Sequence, residues 1–289
     1  MPELPEVETI ARGLDKRVTD DTIDSVWIGS RRQPLKSPAT EIAATLEGKR
    51  IARVHRAGKH IVFDLEGAIG GRGKGGRATA GQTRQAASLQ RQAQWIVHLG
   101  MTGRMVICEP AAETVKHTHL VAKLASGREL RFIDPRMFGK LSVHSTGFDP
   151  GGVEPLEVAE DQFLTLFRGR KTPIKSALLN QKLLRGVGNI YADESLFRAG
   201  IRPGRRAASL TREDLRRLYG SVREVLREAI ALGGSSISDY VDADGEEGFF
   251  QLQHRVYGRE GEPCLACRTL IKRVVLVGRS SHYCPKCQK

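Results

Sequence analysis

Hydrophobic positions recur at helical spacing near the start of the chain. In segment 5–18, the apolar residues that share one side of a helix are Val7, Ile10, Leu14 and Val18. Pro5 suits the first turn of a helix, and the acidic residues beside it favour the positive N-terminal end. The pattern predicts a helix over 5–18 that holds residues 2 and 3 in a fixed place.

From about residue 22 to residue 144 the pattern changes to short β-type runs. The runs that predict strands are Ser25–Ile28, Ile51–Val54, His60–Leu65, Trp95–Leu99, Leu120–Leu124, Glu129–Ile133 and Lys140–Val143. Many short strands in succession indicate a sandwich or a barrel-like β domain. Segment 67–94 interrupts them, because it is rich in Gly, Ala, Gln and Arg and lacks acidic residues. That composition predicts a flexible basic insertion.

A glycine-rich segment, 145–152, ends the β-type pattern and predicts a linker. The helices predicted beyond it are Ala159–Phe167, Ile174–Asn180, Ile190–Ala199 and Arg212–Leu232. Between two of them, Gly186-Val187-Gly188-Asn189 forms either a tight helix connection or a place where backbone amides approach a phosphate. We expect domains over 1–146 and 153–254, followed by a small metal module over 255–289.

The charge of the chain points to a polyanionic partner. Lys and Arg number 46 against 33 Asp and Glu, which gives a formal net charge of +13. Counterion release and electrostatic steering then favour nucleic acid. An anionic membrane surface is the alternative, but the sequence has no apolar run of about 18 residues and no signal-peptide core after Met1. We therefore expect a soluble intracellular protein.

Four cysteines near the end of the chain have the spacing of a metal site. Cys264, Cys267, Cys284 and Cys287 form two CxxC pairs separated by 16 residues. This spacing is typical of zinc ribbons and fingers, and predicts one structural Zn²⁺ with no open coordination position. The strand-like run 270–277 and the basic Arg279 would form a hairpin braced by that metal. The fifth cysteine, Cys108, is expected to be a small buried hydrophobic residue.

The start of the chain, Met1-Pro2-Glu3, offers a nucleophile beside an acid. Removal of Met1 would leave Pro2 as a free secondary amine, and α-amino groups have a pKa about two and a half units below that of lysine. Attack by such an amine on a sugar aldehyde carbon gives a charged iminium, which is an electron sink for elimination. Glu3 could act as general acid or base if its site raises its pKa. Taken alone, the pair favours the ordinary interpretation of an acid that caps a helix.

Several motifs together resemble those of the bacterial formamidopyrimidine-DNA glycosylases, also called Fpg or MutM. The resemblance covers nearly the whole chain apart from the insertion at 67–94. Its motifs are Met1-Pro2-Glu3-Leu4-Pro5-Glu6-Val7-Glu8-Thr9, Gly58-Lys59, His98-Leu99-Gly100-Met101-Thr102-Gly103, Asp134-Pro135-Arg136-Met137-Phe138-Gly139, Gly186-Val187-Gly188-Asn189-Ile190-Tyr191-Ala192 and the four cysteines.

The resemblance implies an α+β multidomain fold: an N-terminal β-sandwich with a leading helix, a helix–two-turn–helix domain and a C-terminal zinc finger. It implies a bifunctional DNA glycosylase and abasic-site lyase that flips oxidised purines out of damaged double-stranded DNA. Pro2 would attack the sugar C1′ to form a Schiff base, and Glu3 would donate and accept protons. Lys59 would assist β-elimination and Arg279 δ-elimination, leaving a gap with phosphate at both ends.

The resemblance also assigns residues to DNA contact. Matching positions that approach the DNA backbone are His117, Arg136, Arg170, Lys175 and Asn189. Met101, Arg136 and Phe138 would fill the vacated stack, Glu6 would touch the lesion, and the loop 234–238 would close over the extruded base. Each has an ordinary alternative: Lys59 as an exposed strand lysine, His117 as a surface histidine, and Met101 and Phe138 as core residues. We expect a monomer in the bacterial cytoplasm, associated with the nucleoid.

Two other functions are compatible with parts of this sequence. A sister enzyme for oxidised pyrimidines, of the endonuclease VIII type, shares Pro2, Glu3 and zinc, but its relatives usually differ after Pro-Glu, so segment 4–7 disfavours it. A zinc-ribbon DNA-binding protein without catalysis would explain the charge and the cysteines. It would leave Pro2, Glu3 and Lys59 without a role.

Overall fold

A computed structural model describes residues 1–67, 93–110, 112–145, 147–235 and 248–289. Most of the predicted insertion at 67–94, and residues 236–238 of the predicted closing loop, lie outside the described residues. The predicted limits of the insertion were too wide, because Gly67, Ala93 and Gln94 belong to strands.

The described residues form two compact units. The first contains residues 1–2 and continues from Val7 to Asp149, and the second contains residues 3–6 and continues from Pro150. No described helix is long and apolar enough to cross a membrane.

The first unit is built mainly from strands. Its described elements, with helix α1 beginning in the residues of the second unit, are α1 Leu4–Val18, β1 Ile23–Ile28, α2 Ala39–Leu46, β2 Lys49–Ala57, β3 His60–Gly67, β4 Ala93–His98, β5 Arg104–Cys108, β6 Thr118–Leu124, β7 Glu129–Ile133 and β8 Lys140–His144. Two antiparallel four-stranded sheets result, with strand orders β1-β6-β7-β5 and β2-β3-β4-β8.

One apolar core serves both sheets. It combines inward-facing residues of each sheet with the apolar side of α1, for example Phe132 from one sheet, Phe63 from the other and Leu14 from the helix. Trp95 is fully buried there, and its ring stacks on Phe63 with centroids 4.6 Å apart. Two sheets that bury their inner faces against each other form a sandwich, as predicted.

Two elements of the first unit were not predicted. Helix α2 has only two fully buried apolar residues, Ile42 and Leu46. Two positions are too few to establish the hydrophobic periodicity that predicts a helix. Strand β5 is five residues long and has a single fully buried residue, Met105. Cys108 ends this strand and is half-buried, not buried as predicted.

The second unit is mainly helical, with a hairpin at its end. Its described α-helices and strands are α3 Glu160–Leu166, α4 Ile174–Leu178, α5 Asn189–Arg198, α6 Arg212–Ala231, β9 Lys272–Leu276 and β10 Arg279–Tyr283. Helix α6 begins with a capping box. The Thr211 side chain accepts a hydrogen bond from the Asp214 amide, and the Asp214 side chain accepts one from the Thr211 amide. The predicted helices and the predicted hairpin are therefore present, with ends shifted by a few residues.

Candidate functional site

The Glu3 carboxylate is held at the start of a helix in the second unit. Its exposed fraction is only 4%, and its Oε1 accepts the backbone N–H of Ile190 at 3.1 Å. Ile190 lies in the first turn of α5, where unsatisfied amides and the helix dipole favour a negative charge. The sequence thus places an acid next to Pro2, and the fold gives that acid a fixed position.

Two glycines make room for Glu3 and Leu4. A Cβ atom at Gly188 would lie 2.2 Å from Glu3 Cδ, and one at Gly186 would lie 2.7 Å from Leu4 Cδ1. The Leu4 amide also donates to the Gly186 carbonyl at 3.0 Å. The motif of residues 186–189 is therefore a tight connection, and its glycines leave space for Glu3 and for the first residue of α1, Leu4.

Glu6 binds backbone and side-chain donors in the same unit. Its carboxylate is 2% exposed and accepts from the Tyr191 hydroxyl, the Ser235 amide at 2.8 Å and the Glu3 amide at 2.7 Å. Burial raises the pKa of Glu6, and these hydrogen bonds act in the opposite direction. All of these partners lie inside the protein, so the predicted contact between Glu6 and a lesion stays a prediction.

Lys175 lies in the interior of the second unit. It is 1% exposed, its Nζ lies 2.7 Å from Asp193 Oδ1, and it donates to the Ser280 carbonyl at 2.5 Å. The other oxygen of Asp193 accepts the His282 amide at 2.9 Å. Burial lowers the pKa of Lys175, while the charges of Asp193 and Glu3 oppose this effect. Lys175 and Asp193 thus anchor β10, which begins at the exposed Arg279.

The other predicted DNA contacts of the second unit differ in exposure. Arg170 is exposed, and its Nε donates to the Leu166 carbonyl at 2.6 Å. Asn189 is half-buried and hydrogen bonded to the Tyr257 phenol, whose pKa is raised by burial. The buried Asn189 Oδ1 accepts no hydrogen bond from the described residues.

In the first unit, Lys59 occupies the tight turn between β2 and β3. The turn uses the left-handed conformation of Gly58, whose φ is 60°. Lys59 is only 8% exposed, so its interpretation as an exposed strand lysine was wrong. Pro2, also of this unit, is half-buried.

Four predicted DNA-contacting residues of the first unit reach the surface. Met101 is 42% exposed and Phe138 is 50% exposed, so their alternative interpretation as core residues was wrong. The Arg136 guanidinium carbon lies 4.9 Å from the Phe138 ring centroid, within range of a cation–π interaction. His117 is also exposed and has a positive φ of 68°.

The four cysteines of the second unit form a metal site of the predicted type. Their Sγ atoms all lie within 4.8 Å of one another, and the Cys264–Cys287 and Cys267–Cys284 separations are 3.9 and 3.4 Å. A tetrahedral site with Zn–S bonds of about 2.3 Å requires S···S distances of about 3.8 Å. The donor set and its dimensions therefore suit one structural zinc.

Some residues that organise these sites were not singled out by the sequence. Asp193 is the main example, because it lies on the buried side of α5 between Ala192 and Glu194. The available signal was an acidic residue spaced three positions from the apolar Ile190 and Leu196, on the same side of the helix. Asp134 begins one of the motifs that resemble the family, residues 134–139, but the sequence assigned no role to it.

The chain is similar to known proteins along its whole length. Three family models match: the formamidopyrimidine-DNA glycosylase N-terminal domain over residues 1–141, the formamidopyrimidine-DNA glycosylase H2TH domain over 152–241, and a zinc finger found in FPG and IleRS over 261–289. The formamidopyrimidine-DNA glycosylases of Solibacter usitatus and Desulfitobacterium hafniense are 44% and 41% identical, with 100% of both chains covered in each comparison.

Solved structures agree with these matches. MutM (Fpg) from Thermus thermophilus is 41% identical with a TM-score of 0.81, covering 99% of this chain and 98% of that one. A Lactococcus lactis Fpg variant in complex with DNA containing Fapy-dG is 31% identical with a TM-score of 0.84, covering 100% of each chain. With three family models spread along it and full-length relatives above 40% identity, this chain belongs to the formamidopyrimidine-DNA glycosylase family.

Proposed function

We propose that this protein excises oxidised purines, such as 8-oxoguanine and formamidopyrimidines, and then cleaves the resulting abasic site. As a member of its family, the protein is a DNA glycosylase that acts on damaged DNA. The observation that carries the finer proposal is the Glu3 carboxylate. It follows Pro2 directly, is almost completely buried, and is held by the Ile190 amide in a space that Gly188 leaves open.

The proposed reaction begins at the Pro2 nitrogen, which becomes the terminal amine once Met1 is removed. Its lone pair forms a bond to C1′ of the damaged nucleotide, the bond from C1′ to the base breaks, and the departing base takes up the proton that the Pro2 nitrogen loses. Glu3 supplies a proton as the sugar ring opens, which leaves an iminium between Pro2 and C1′. The positive iminium then accepts the electrons released when a proton leaves C2′.

Elimination would complete the reaction. Loss of the C2′ proton expels the 3′ phosphate, a step that Lys59 assists. Loss of a second proton expels the 5′ phosphate, and Arg279 assists by stabilising its charge. Hydrolysis of the iminium releases the sugar fragment and restores the Pro2 amine.

DNA binding in this proposal depends on charge and on exposed side chains. The net charge of +13 favours the phosphate backbone. Exposed His117, Arg136 and Arg170 would contact phosphates, and Asn189 would offer its amide. Lys175 would contribute from the interior beside Arg279. Met101 and Phe138, with Arg136, would occupy the space that an extruded nucleotide leaves.

A borohydride trap on duplex DNA containing 8-oxoguanine tests the covalent step. We expect a reduced protein–DNA adduct, and mass spectrometry of the adduct should place it on an N-terminal peptide that begins with Pro2. Absence of an adduct from protein whose Met1 has been removed would contradict the proposal. Equal trapping by Pro2→Gly would place the nucleophile on another residue.

A second variant tests the proton transfer. Glu3→Gln keeps the shape of the side chain but removes its acid, so base excision should fall by about a hundredfold or more. Glu41→Gln is the matched control, since Glu41 is an exposed first-turn acid of α2 and should leave excision unchanged. Equal rates for Glu3→Gln and the control would exclude Glu3 as the proton donor.

The lesion range needs its own measurement. A Lactococcus lactis Fpg, 31% identical over the whole chain, has been solved with DNA containing an oxidised pyrimidine. We expect single-turnover excision of 8-oxoguanine to be faster than excision of an oxidised pyrimidine in the same sequence context. The reverse order would favour the endonuclease VIII type of substrate preference.

A further inference from the structure

Asp134 is a fully buried carboxylate to which the described residues donate only from neutral groups. Its Oδ1 accepts the Thr102 hydroxyl at 2.6 Å and the Arg136 amide at 3.2 Å. Its Oδ2 accepts the Gly139 amide at 2.7 Å. One side chain therefore binds two loops at once, which we call the paired loops: residues 99–103 and residues 134–139.

The backbone of Asp134 reaches a third segment. Its amide donates to the His117 carbonyl at 3.0 Å, and its carbonyl lies 2.9 Å from His119 Nε2. A carbonyl can only accept, so Nε2 of His119 carries the proton. Asp134 thus joins the paired loops to the segment that begins β6 and carries His117.

The paired loops also touch each other through their backbones. A Cβ atom at Gly100 would lie 2.5 Å from the Gly139 nitrogen and 2.5 Å from the Phe138 carbonyl carbon. Glycine is required for so close an approach, and φ of Gly100 is 66° in addition. The backbones of the paired loops are therefore in direct contact, and the exposed side chains of Met101 and Phe138 extend from loops that pack against each other.

We propose that Asp134 is a positioning residue that sets the paired loops, and with them Met101, Arg136 and Phe138, for insertion into DNA. This inference rests on the proposed function. Inserting side chains into a base stack costs unstacking free energy, so loops that are ordered beforehand avoid a further entropy cost on binding. A buried carboxylate with donors from both loops supplies that order.

The test substitutes Asp134→Asn, which keeps the shape but replaces one acceptor oxygen by an NH₂ group. That group would face either the Thr102 hydroxyl and Arg136 amide or the Gly139 amide, so at least one loop loses a hydrogen bond. We expect single-turnover excision of 8-oxoguanine from duplex DNA to fall about tenfold or more. The fluorescence rise of 2-aminopurine placed beside the lesion, which reports unstacking, should slow by a similar factor.

Cleavage of an abasic site in single-stranded DNA separates positioning from general damage to the enzyme. No stacked base has to be displaced there, so trapping of Asp134→Asn with borohydride should stay within about twofold of the unsubstituted protein. Unchanged excision and unchanged fluorescence on duplex DNA would overturn the proposal. An equal loss on both substrates would also overturn it, because a merely structural role predicts that result.

Two controls make the comparison sharper. Thr102→Val removes the hydroxyl donor and should show the same split between substrates, whereas Thr102→Ser keeps the donor and should restore duplex excision. Asp15→Asn is the control for the substitution itself, because Asp15 lies in the same unit. Its carboxylate accepts hydrogen bonds from the Val54 amide at 2.7 Å and the Thr19 hydroxyl at 2.9 Å. This variant should leave both substrates unaffected.

The same assays separate this inference from the proposed function. If the unsubstituted protein forms no adduct on either substrate, the proposed function fails. If the unsubstituted protein forms the adduct and Asp134→Asn matches it throughout, only the positioning role of Asp134 fails.

Discussion

The two units each contain a fully buried aspartate, but the two aspartates have different partners. In the first unit, Asp134 accepts hydrogen bonds from two backbone amides and a hydroxyl. In the second unit, Asp193 forms an ion pair with Lys175 and accepts the His282 amide. Both carboxylates are completely inaccessible to solvent.

The difference shows two ways in which a buried charge can organise a functional surface. Neutral donors spread along loops let Asp134 fix several backbone segments whose outer side chains stay exposed. A buried ammonium has no such freedom, because it needs a carboxylate close by to remain charged. Lys175 and Asp193 therefore join one helix pair to one hairpin, and Arg279 is carried on the edge of that hairpin.

The largest expected effect comes from breaking the ion pair. Asp193→Ala leaves the Lys175 ammonium buried without its partner and removes the acceptor of the His282 amide. The cost should be about 3–5 kcal/mol in the free energy of unfolding. Both tryptophans of the chain, Trp27 and Trp95, belong to the first unit, so their fluorescence reports the unfolding of that unit. Far-UV circular dichroism reports mainly the unfolding of the second unit, which contains most of the described helical residues.

A paired replacement controls this experiment. Changing Lys175→Met together with Asp193→Leu removes both charges and fills the space with apolar groups, so most of the lost stability should return. The double variant should nevertheless release zinc faster than the unsubstituted protein, because the hairpin loses its anchor. A cost below about 1 kcal/mol for Asp193→Ala would show that the pair stabilises the second unit far less than its burial implies.

The next largest effect should appear on acidification, and both units contribute to it. Burial lowers the pKa of His98 in the first unit to about 4, with His60 and Lys140 adding to the effect, and burial lowers the pKa of His254 in the second unit to about 4. Each group is neutral when folded and protonates near pH 6.5 when unfolded, so its stabilising contribution is complete above pH 6.5. That contribution is lost as the pH falls from 6.5 through 4, by at most about 3 kcal/mol per histidine.

Substitutions assign this loss to each unit. His98 Nδ1 accepts the Gly100 amide at 3.1 Å, so His98→Asn keeps an acceptor while removing the titration. This variant should make the stability of the first unit, measured by tryptophan fluorescence, less dependent on pH between pH 6.5 and 4. His254→Gln should instead make the stability of the second unit, measured by circular dichroism, less dependent on pH over the same range. If each variant changed both transitions equally, the two units would not unfold separately.

A smaller effect is expected at the glycine that receives Glu3. Gly188→Ala places a methyl group 2.2 Å from Glu3 Cδ, and relief of that overlap should cost about 1–3 kcal/mol and displace the carboxylate. The backbone is not the obstacle, since Gly188 has φ −130° and ψ −159°, which any residue adopts. The rate of base excision should therefore fall, together with the free energy of unfolding.

Gly220 provides the matched control for Gly188. A Cβ atom there would meet no atom within 4 Å, and Gly220 lies inside α6. Gly220→Ala should therefore raise stability by up to about 1 kcal/mol and leave excision unchanged. A normal excision rate in Gly188→Ala would mean that Glu3 can move without consequence.

The contacts of Asp134 and Asp193 could not be predicted from the sequence, whereas many other features could. Periodicity and cysteine spacing depend on neighbouring residues, and they predicted the helices of the second unit, the zinc site and most strands. Lys175 and Ser280, by contrast, are 105 residues apart, and their contact follows from packing of the whole second unit. No local pattern predicts that Lys175 is buried or that Asp134 joins the paired loops.

The smallest effect on stability is expected at the surface of the paired loops. Phe138 is 50% exposed, so Phe138→Ala should change the free energy of unfolding by less than about 0.5 kcal/mol. Binding to duplex DNA with a stable abasic-site analogue should nevertheless weaken by about 1–3 kcal/mol, because the ring can no longer stack on a neighbouring base. Trp27→Ala removes another aromatic residue of the first unit, 52% exposed, and should leave this affinity unchanged. If both variants bound the duplex equally well, Phe138 would not enter the DNA, and the order that Asp134 imposes on its loop would serve folding alone.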